Sequence, residues 1–187
     1  MALLTLRCAI EDVVDWHPHL FLEPHVVACV AVMSHYSPPP ALFDVECSGI
    51  ESDWLGGAER FKLELSWSAL TRLKAERLRV TVQRKPLLEI AAVSIGLLLV
   101  HRVIDLGKLD VTEYGDRADY RSLSVPSVLE ISGTEKLSDL QRRHRAKVAQ
   151  ALANPFGWSS YVVVCAFSSA GHRIKFSHHS ATEVADG

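Results

Sequence analysis

The chain has 187 residues, 48% of them hydrophobic, with 20 Lys and Arg against 22 Asp and Glu for a net charge of −2. That length suits a single domain with a sizeable core, and the near-neutral total excludes a whole-chain field of the kind that wraps nucleic acid. Cys8, Cys29, Cys47 and Cys165 stand singly in apolar runs without CxxC spacing, which excludes a zinc ribbon or redox pair and reads as free buried thiols.

The start, MALLTLRCAIEDVV, is too short and too soon charged for a secretory signal. No uninterrupted apolar stretch approaches the roughly 20 residues of a spanning helix, so a soluble intracellular chain is expected. Leu4, Leu6 and Cys8 alternate with Thr5 and Arg7 and predict a first strand. A polar, turn-rich segment follows over 11–24, and HVVACVAVM then reads as a second strand. Residues 34–40 end in three prolines, which favour a stiff exposed loop with Tyr36 as a possible contact. Phe43, Val45 and Cys47 share one parity of a third strand. In the turn-rich stretch after it, Trp54 either anchors a partner or folds back on the sheet edge.

The stretch over 61–100 is the most patterned. Phe61, Leu63, Leu65 and Trp67 alternate with Lys62, Glu64 and Ser66, and Leu78, Val80 and Val82 alternate with Arg79 and Thr81; both predict half-buried strands. SALTRLKAE between them suits one or two helical turns. Val93, Ile95, Leu97 and Leu99 predict a central strand covered on both faces. Tyr120, Leu123 and Val125 suggest an edge strand stopped by Pro126. Ser132 and Glu135 have the spacing of a capping box, and Leu137, Leu140, His144, Val148 and Leu152 then form one helical stripe. Arg142, Arg143, Arg145 and Lys147 lie mainly off that stripe and are read as a basic surface. YVVVCAF over 161–167 predicts the last strand, and 171–187 a flexible tail.

FKLELSW, a leucine-containing bridge, RLRVTVQRK and the approach to IGLLLV together resemble the middle of a C2 domain. The bridge and the lack of acidic loops make the stretch most similar to the calcium-independent C2 domains of centrosomal and basal-body assembly proteins. The resemblance implies an all-β, C2-like eight-stranded antiparallel sandwich over 1–170, with a helical insertion at about 132–154. It further implies a non-catalytic protein-interaction module of a centriole, basal-body or flagellar scaffold, located in the cytoplasm and cytoskeleton. Tyr36, Trp54, Arg142, Arg143, Arg145 and Lys147 are the interaction candidates for a cytoskeletal protein partner. The alternative is a C2 domain that binds acidic phospholipid without calcium, through Arg77, Arg79, Arg84, Lys85 or the basic helix. Calcium itself is not expected, because the loop RKPLLE offers only Glu89, and Asp12 and Asp15 alone are too few oxygen ligands.

Other chemistry lacks at least one component. His17, His19 and His25 with Asp15 have no fixed metal-ligand spacing. No serine lies in a GxSxG elbow, and Gly56-Gly57 has no P-loop lysine. Glu46, Glu51, Asp53 and Glu59 have no defined separation for paired-acid catalysis. The sequence therefore predicts no enzyme, no cofactor, no metal and no nucleic-acid partner.

Overall fold

The structure, a computed structural model, describes residues 3–181. It is a mixed α/β fold and not the antiparallel sandwich of a C2 domain. Eight strands form one open sheet in the order β1-β3-β2-β8-β7-β6-β5-β4: β1 Thr5–Ala9, β2 Ala41–Ser48, β3 Arg60–Ser66, β4 Leu109–Val111, β5 Tyr120–Ser122, β6 Ser127–Thr134, β7 Ser159–Ala166 and β8 His172–His179. The pairs β1/β3, β2/β8 and β6/β7 are parallel and the others antiparallel. A single sheet with parallel pairs must cover its faces with helices, which is what the chain does. The scaffold and phospholipid functions implied by the C2 resemblance fall with that fold.

Among the described residues there are five α-helices: α1 Asp12–Trp16, α2 Glu23–Met33, α3 Ala69–Arg79, α4 Arg84–Leu99 and α5 Leu140–Leu152. α2 and α4 stand where strands were expected, and α3 runs on from its expected helical turns into an expected strand, each for a physical reason. HVVACVAVM is α2, with Pro24 in its first turn and seven buried residues from Val26 to Met33; a helix apolar on every side has no period of its own to read. The run expected as a central strand is α4, in which Ile95, Leu97 and Leu99 are fully buried. RLRVTV lies at the end of α3 and beyond it, capped at the front by Ser68, whose hydroxyl accepts from the Thr71 N–H at 3.2 Å. Val80, expected in the core, is 88% exposed.

α4 continues into a π-helical turn, Val100–Ile104, ended by Asp105 at φ 47°. Arg84–Ile104 is 21 residues long with a mean hydropathy of 2.0, long and apolar enough to cross a membrane by length and composition. Most of its apolar window is nevertheless buried inside the fold, where α4 packs between α2 and the β6–β7 part of the sheet. α5, inside the helical segment expected over 132–154, covers the opposite face at β6, β7 and β8, with Val162, Val164, Ala166, Leu140 and Ala151 as its small core. The capping box ahead of it does not form, because Ser132 is inside β6. The sheet strands at 43–47, 61–65 and 161–167 stand where their alternation places them. His172–His179, assigned to the tail, is instead a strand between β2 and β7; residues 182–187 lie outside the described residues.

The closest approach of helix to sheet is at Gly133. A Cβ there would stand 2.2 Å from the Leu88 carbonyl oxygen, so a backbone would have to move; at Gly96 it would meet the Ile131 side chain, which can turn aside. Gly133→Ala is expected to lower stability by about 1–3 kcal/mol or more through overpacking, and Gly96→Ala by less. Urea denaturation of both variants checks the order.

Candidate functional site

The sheet opens on one side of β6. β5 pairs with β6 only at Tyr120↔Leu129 and Arg121↔Val128, so further along β6 the edge N–H groups have no strand to donate to. Buried backbone donors are nearly always satisfied, and here two carboxylates take the place of the missing strand. Ile131 N–H donates to Asp119 Oδ2 at 2.7 Å, and Gly133 N–H, two residues on, donates to Glu89 Oε2 at 2.8 Å. Glu89 reaches this edge from α4 because Gly133 lets the helix come close. Asp119 reaches it from the residue before β5, anchored by its own N–H to the Leu129 carbonyl at 3.0 Å.

Glu130, the residue before Ile131, points to the α5 side and is completely buried. Lys147 on α5 forms an ion pair with Glu130 Oε1 and donates to Gln150 Oε1 at 3.1 Å. Glu130 Oε2 is buried with no hydrogen-bond partner. Arg143, one turn earlier on α5, donates to Glu89 Oε1 at 2.6 Å and to the Ser132 hydroxyl at 2.9 Å, and that hydroxyl donates to Glu89 Oε2 at 3.0 Å. α4, β5, β6 and α5 therefore meet in one polar layer containing three carboxylates, a lysine and an arginine. A cleft of about 1030 Å³ opens beside it between the β4–β5 connection and α5, with Asp119 and Gln150 in its wall and Tyr114 and Arg117 at its rim.

The electrostatics follow from burial and like charge. The Glu130 carboxyl is pushed up to about 7, first by burial, then by the negative charge of Asp119, against the opposing pull of Lys147. Asp119 is also raised, again chiefly by burial, with the Ile131 N–H and Lys147 acting in the other direction. The negative charge of Glu89 adds to the upward push on both acids. Among the described residues, no three His, Cys, Asp or Glu side chains converge as a closed metal site. An open site has lower requirements: magnesium keeps several waters and takes one or two carboxylates together with substrate phosphate.

Of the interaction candidates, only Lys147 and Arg143 enter this layer, half-buried and turned towards the sheet, where they join Glu89 and Ser132, read in the sequence as a loop acid and a helix cap. Arg142 is 79% exposed and pairs with Asp139 at 3.3 Å, and Arg145 is exposed. Trp54 packs edge-on to Phe61 with ring centroids 5.0 Å apart, folded back on the sheet. Tyr36 lies beside His172 and under Arg84. His17 is buried near His101, while His19 bonds the Leu109 carbonyl; the imagined set with His25 does not assemble as a metal group. Asp12 and Asp15 sit in α1, and Glu46 is paired with Lys175. Asp119 and Glu130 escaped the sequence reading. Their signal was an acid, Glu130, on the same parity as Val128 in the apolar run VLEIS.

No family model, curated protein or solved structure matches the chain.

Two buried groups near this layer oppose each other in their response to pH. His144, on α5, bonds the Ser177 hydroxyl at 2.8 Å and is lowered to about 4 by burial, with Lys175 and His179 adding to the effect. From pH 4 to 6.5 the unfolded chain holds this proton and the native one does not, so its contribution to stability grows as pH rises. Glu130 keeps its proton in the native state up to about pH 7 while the unfolded group loses it near 4.5, so its contribution shrinks as pH rises. The stability of Glu130→Gln relative to wild type should therefore climb by up to about 1.4 kcal/mol per pH unit between roughly pH 4.5 and 7. That of His144→Gln should fall across pH 4 to 6.5. Denaturant melts of the three proteins over this range test both signs.

Proposed function

We propose that the chain is a divalent-metal-dependent hydrolase of phosphodiesters, with Asp119 and Glu130 as the metal-binding carboxylates and Lys147 as the cationic group beside them. The observation that carries the reading is the fully buried Glu130, paired on one oxygen with Lys147 and unpartnered on the other, next to a second acid raised by burial. Burying such a group is costly unless its charge is compensated. A divalent cation compensates both acids at once, and when bound it supplies Lewis-acid polarisation of a phosphoryl oxygen and a water of lowered pKa.

The chain's own groups account for the remaining chemistry. Lys147 is positioned to neutralise charge gathering on the non-bridging oxygens as water adds to phosphorus and the ester P–O bond breaks. Gln150 holds the Lys147 ammonium from the cleft side, and Arg143 fixes Glu89 and Ser132 against the edge of β6. The leaving alkoxide takes a proton from solvent, giving an alcohol and a phosphomonoester. A diester suits the site better than a monoester: it carries a single negative charge, and among the described residues Lys147 is the cation paired with Glu130. The open cleft also leaves room for substrate on both sides of the scissile bond.

In a second reading, Glu130 and Lys147 form a structural ion pair of a non-catalytic protein, favoured by the absence of solvent access to Glu130. Activity separates the two. The chain should hydrolyse bis-p-nitrophenyl phosphate, or DNA or RNA oligonucleotides, in magnesium or manganese and not in chelator. Asp119→Asn, Glu130→Gln and Lys147→Met should each lose roughly a hundredfold or more in rate while keeping the wild-type circular dichroism spectrum. Turnover of none of these diesters, or turnover unchanged by Asp119→Asn and Glu130→Gln, contradicts the hydrolase.

A further inference from the structure

A second cluster lies away from the acid layer, where the end of α2 meets the α3–α4 turn. His35 stands between two arginines. Its Nε2 is 2.9 Å from Arg84 Nη1 and its Nδ1 is 3.4 Å from Arg79 Nη2. A guanidinium has only donors, and a neutral imidazole has one donor and one acceptor; a charged imidazole has no acceptor at all. At most one of these two contacts can therefore be a hydrogen bond. The shorter one assigns the acceptor to Nε2, which leaves Nδ1–H and the Arg79 N–H directed at each other. Both groups are exposed and water can accept from each, but an anion bridging them satisfies both donors and balances the adjacent guanidinium charge at once. Among the described residues no carboxylate pairs with Arg79, whereas Arg84 already holds Glu135 and donates to the Tyr36 hydroxyl.

The donors border a cavity of about 260 Å³ whose other walls, Ala31, Val32, Val82 and Leu87, are apolar. From this geometry we infer an oxyanion site at Arg79, His35 and Arg84 that takes a carboxylate or phosphate carried on a short apolar body, the body filling the space against Val32 and Leu87. The lowered proton affinity of His35, caused by burial and then by Arg84 and Arg79 against the opposing charge of Glu135, agrees with a neutral ring in an electropositive corner. Neither the cluster nor the cavity shares a residue with the acid layer, so the site stands independently of the hydrolase.

Calorimetric titration of the full chain with hexanoate and with hexyl phosphate tests it, with hexanol and inorganic phosphate as controls. Saturable one-site binding of at least one amphiphilic anion is expected, with inorganic phosphate weaker and hexanol silent. The tighter of the two identifies the headgroup. Arg79→Gln and Arg84→Gln should each weaken binding by roughly tenfold or more, as the loss of a charge-assisted hydrogen bond does. Arg142→Gln, on α5 and paired with Asp139, should not. No saturable binding of either anion, or binding that survives both Arg79→Gln and Arg84→Gln, overturns the proposal.

Discussion

The open edge of β6 is the constraint on which the rest depends. A strand in the middle of a sheet satisfies its backbone on both sides, but β5 leaves β6 after two pairs, and the next two edge donors, Ile131 and Gly133, must find other acceptors. Carboxylates from α4 and from the approach to β5 provide them. Charge-assisted bonds of this kind are stronger than ordinary ladder bonds, yet they bring negative charge into a region that Glu130 already occupies. The α5 side answers with Lys147 and Arg143. Closing a backbone deficit thus concentrates acids and bases at one point.

The fold around that point is arranged to keep it fixed. α4 is apolar almost throughout and lies in the core between α2 and the sheet, so Glu89 projects from a helix that cannot easily shift. Gly133 permits the contact that brings Glu89 within reach of β6. α5 crosses from β6 to the parallel strand β7 on the opposite face, and the same helix that buries Leu140, His144 and Ala151 presents Arg143 and Lys147 to the polar layer. Groups on two rigid helices and a central strand hold positions that loops do not. The far half of the sheet has no such focus: its outer face carries the exposed pairs Arg7–Glu64, Lys62–Asp44 and Lys175–Glu46, which contribute little individually.

What the sequence disclosed follows from where periodicity exists. The strands at 43–47 and 61–65 have one buried and one solvated face, and their alternation is real. α5 has a single apolar stripe and was legible for the same reason. α2 and α4 are covered on every side, so their apolar runs carry no period, and an apolar run can be taken for a buried strand. The alternation at Leu78, Val80 and Val82 is accidental; the chain there ends a helix, and Val80 faces water. That misreading, together with α4, produced the likeness to a C2 sandwich. At the site, Lys147 and Arg143 were visible as bases but were placed in solvent, because the helix stripe shows which residues are apolar and not which polar ones meet a buried acid. Glu130 and Asp119 lie 11 positions apart with no motif between them, and only the divergence of β5 from β6 brings them together.

Anomalous scattering from crystals of the protein grown with manganese tests whether Asp119 and Glu130 hold a divalent cation. A peak between the Asp119 carboxylate and Glu130 Oε2, absent in crystals of Glu130→Gln, is the outcome expected. Manganese bound elsewhere with none at this pair, or a peak that persists in Glu130→Gln, contradicts it.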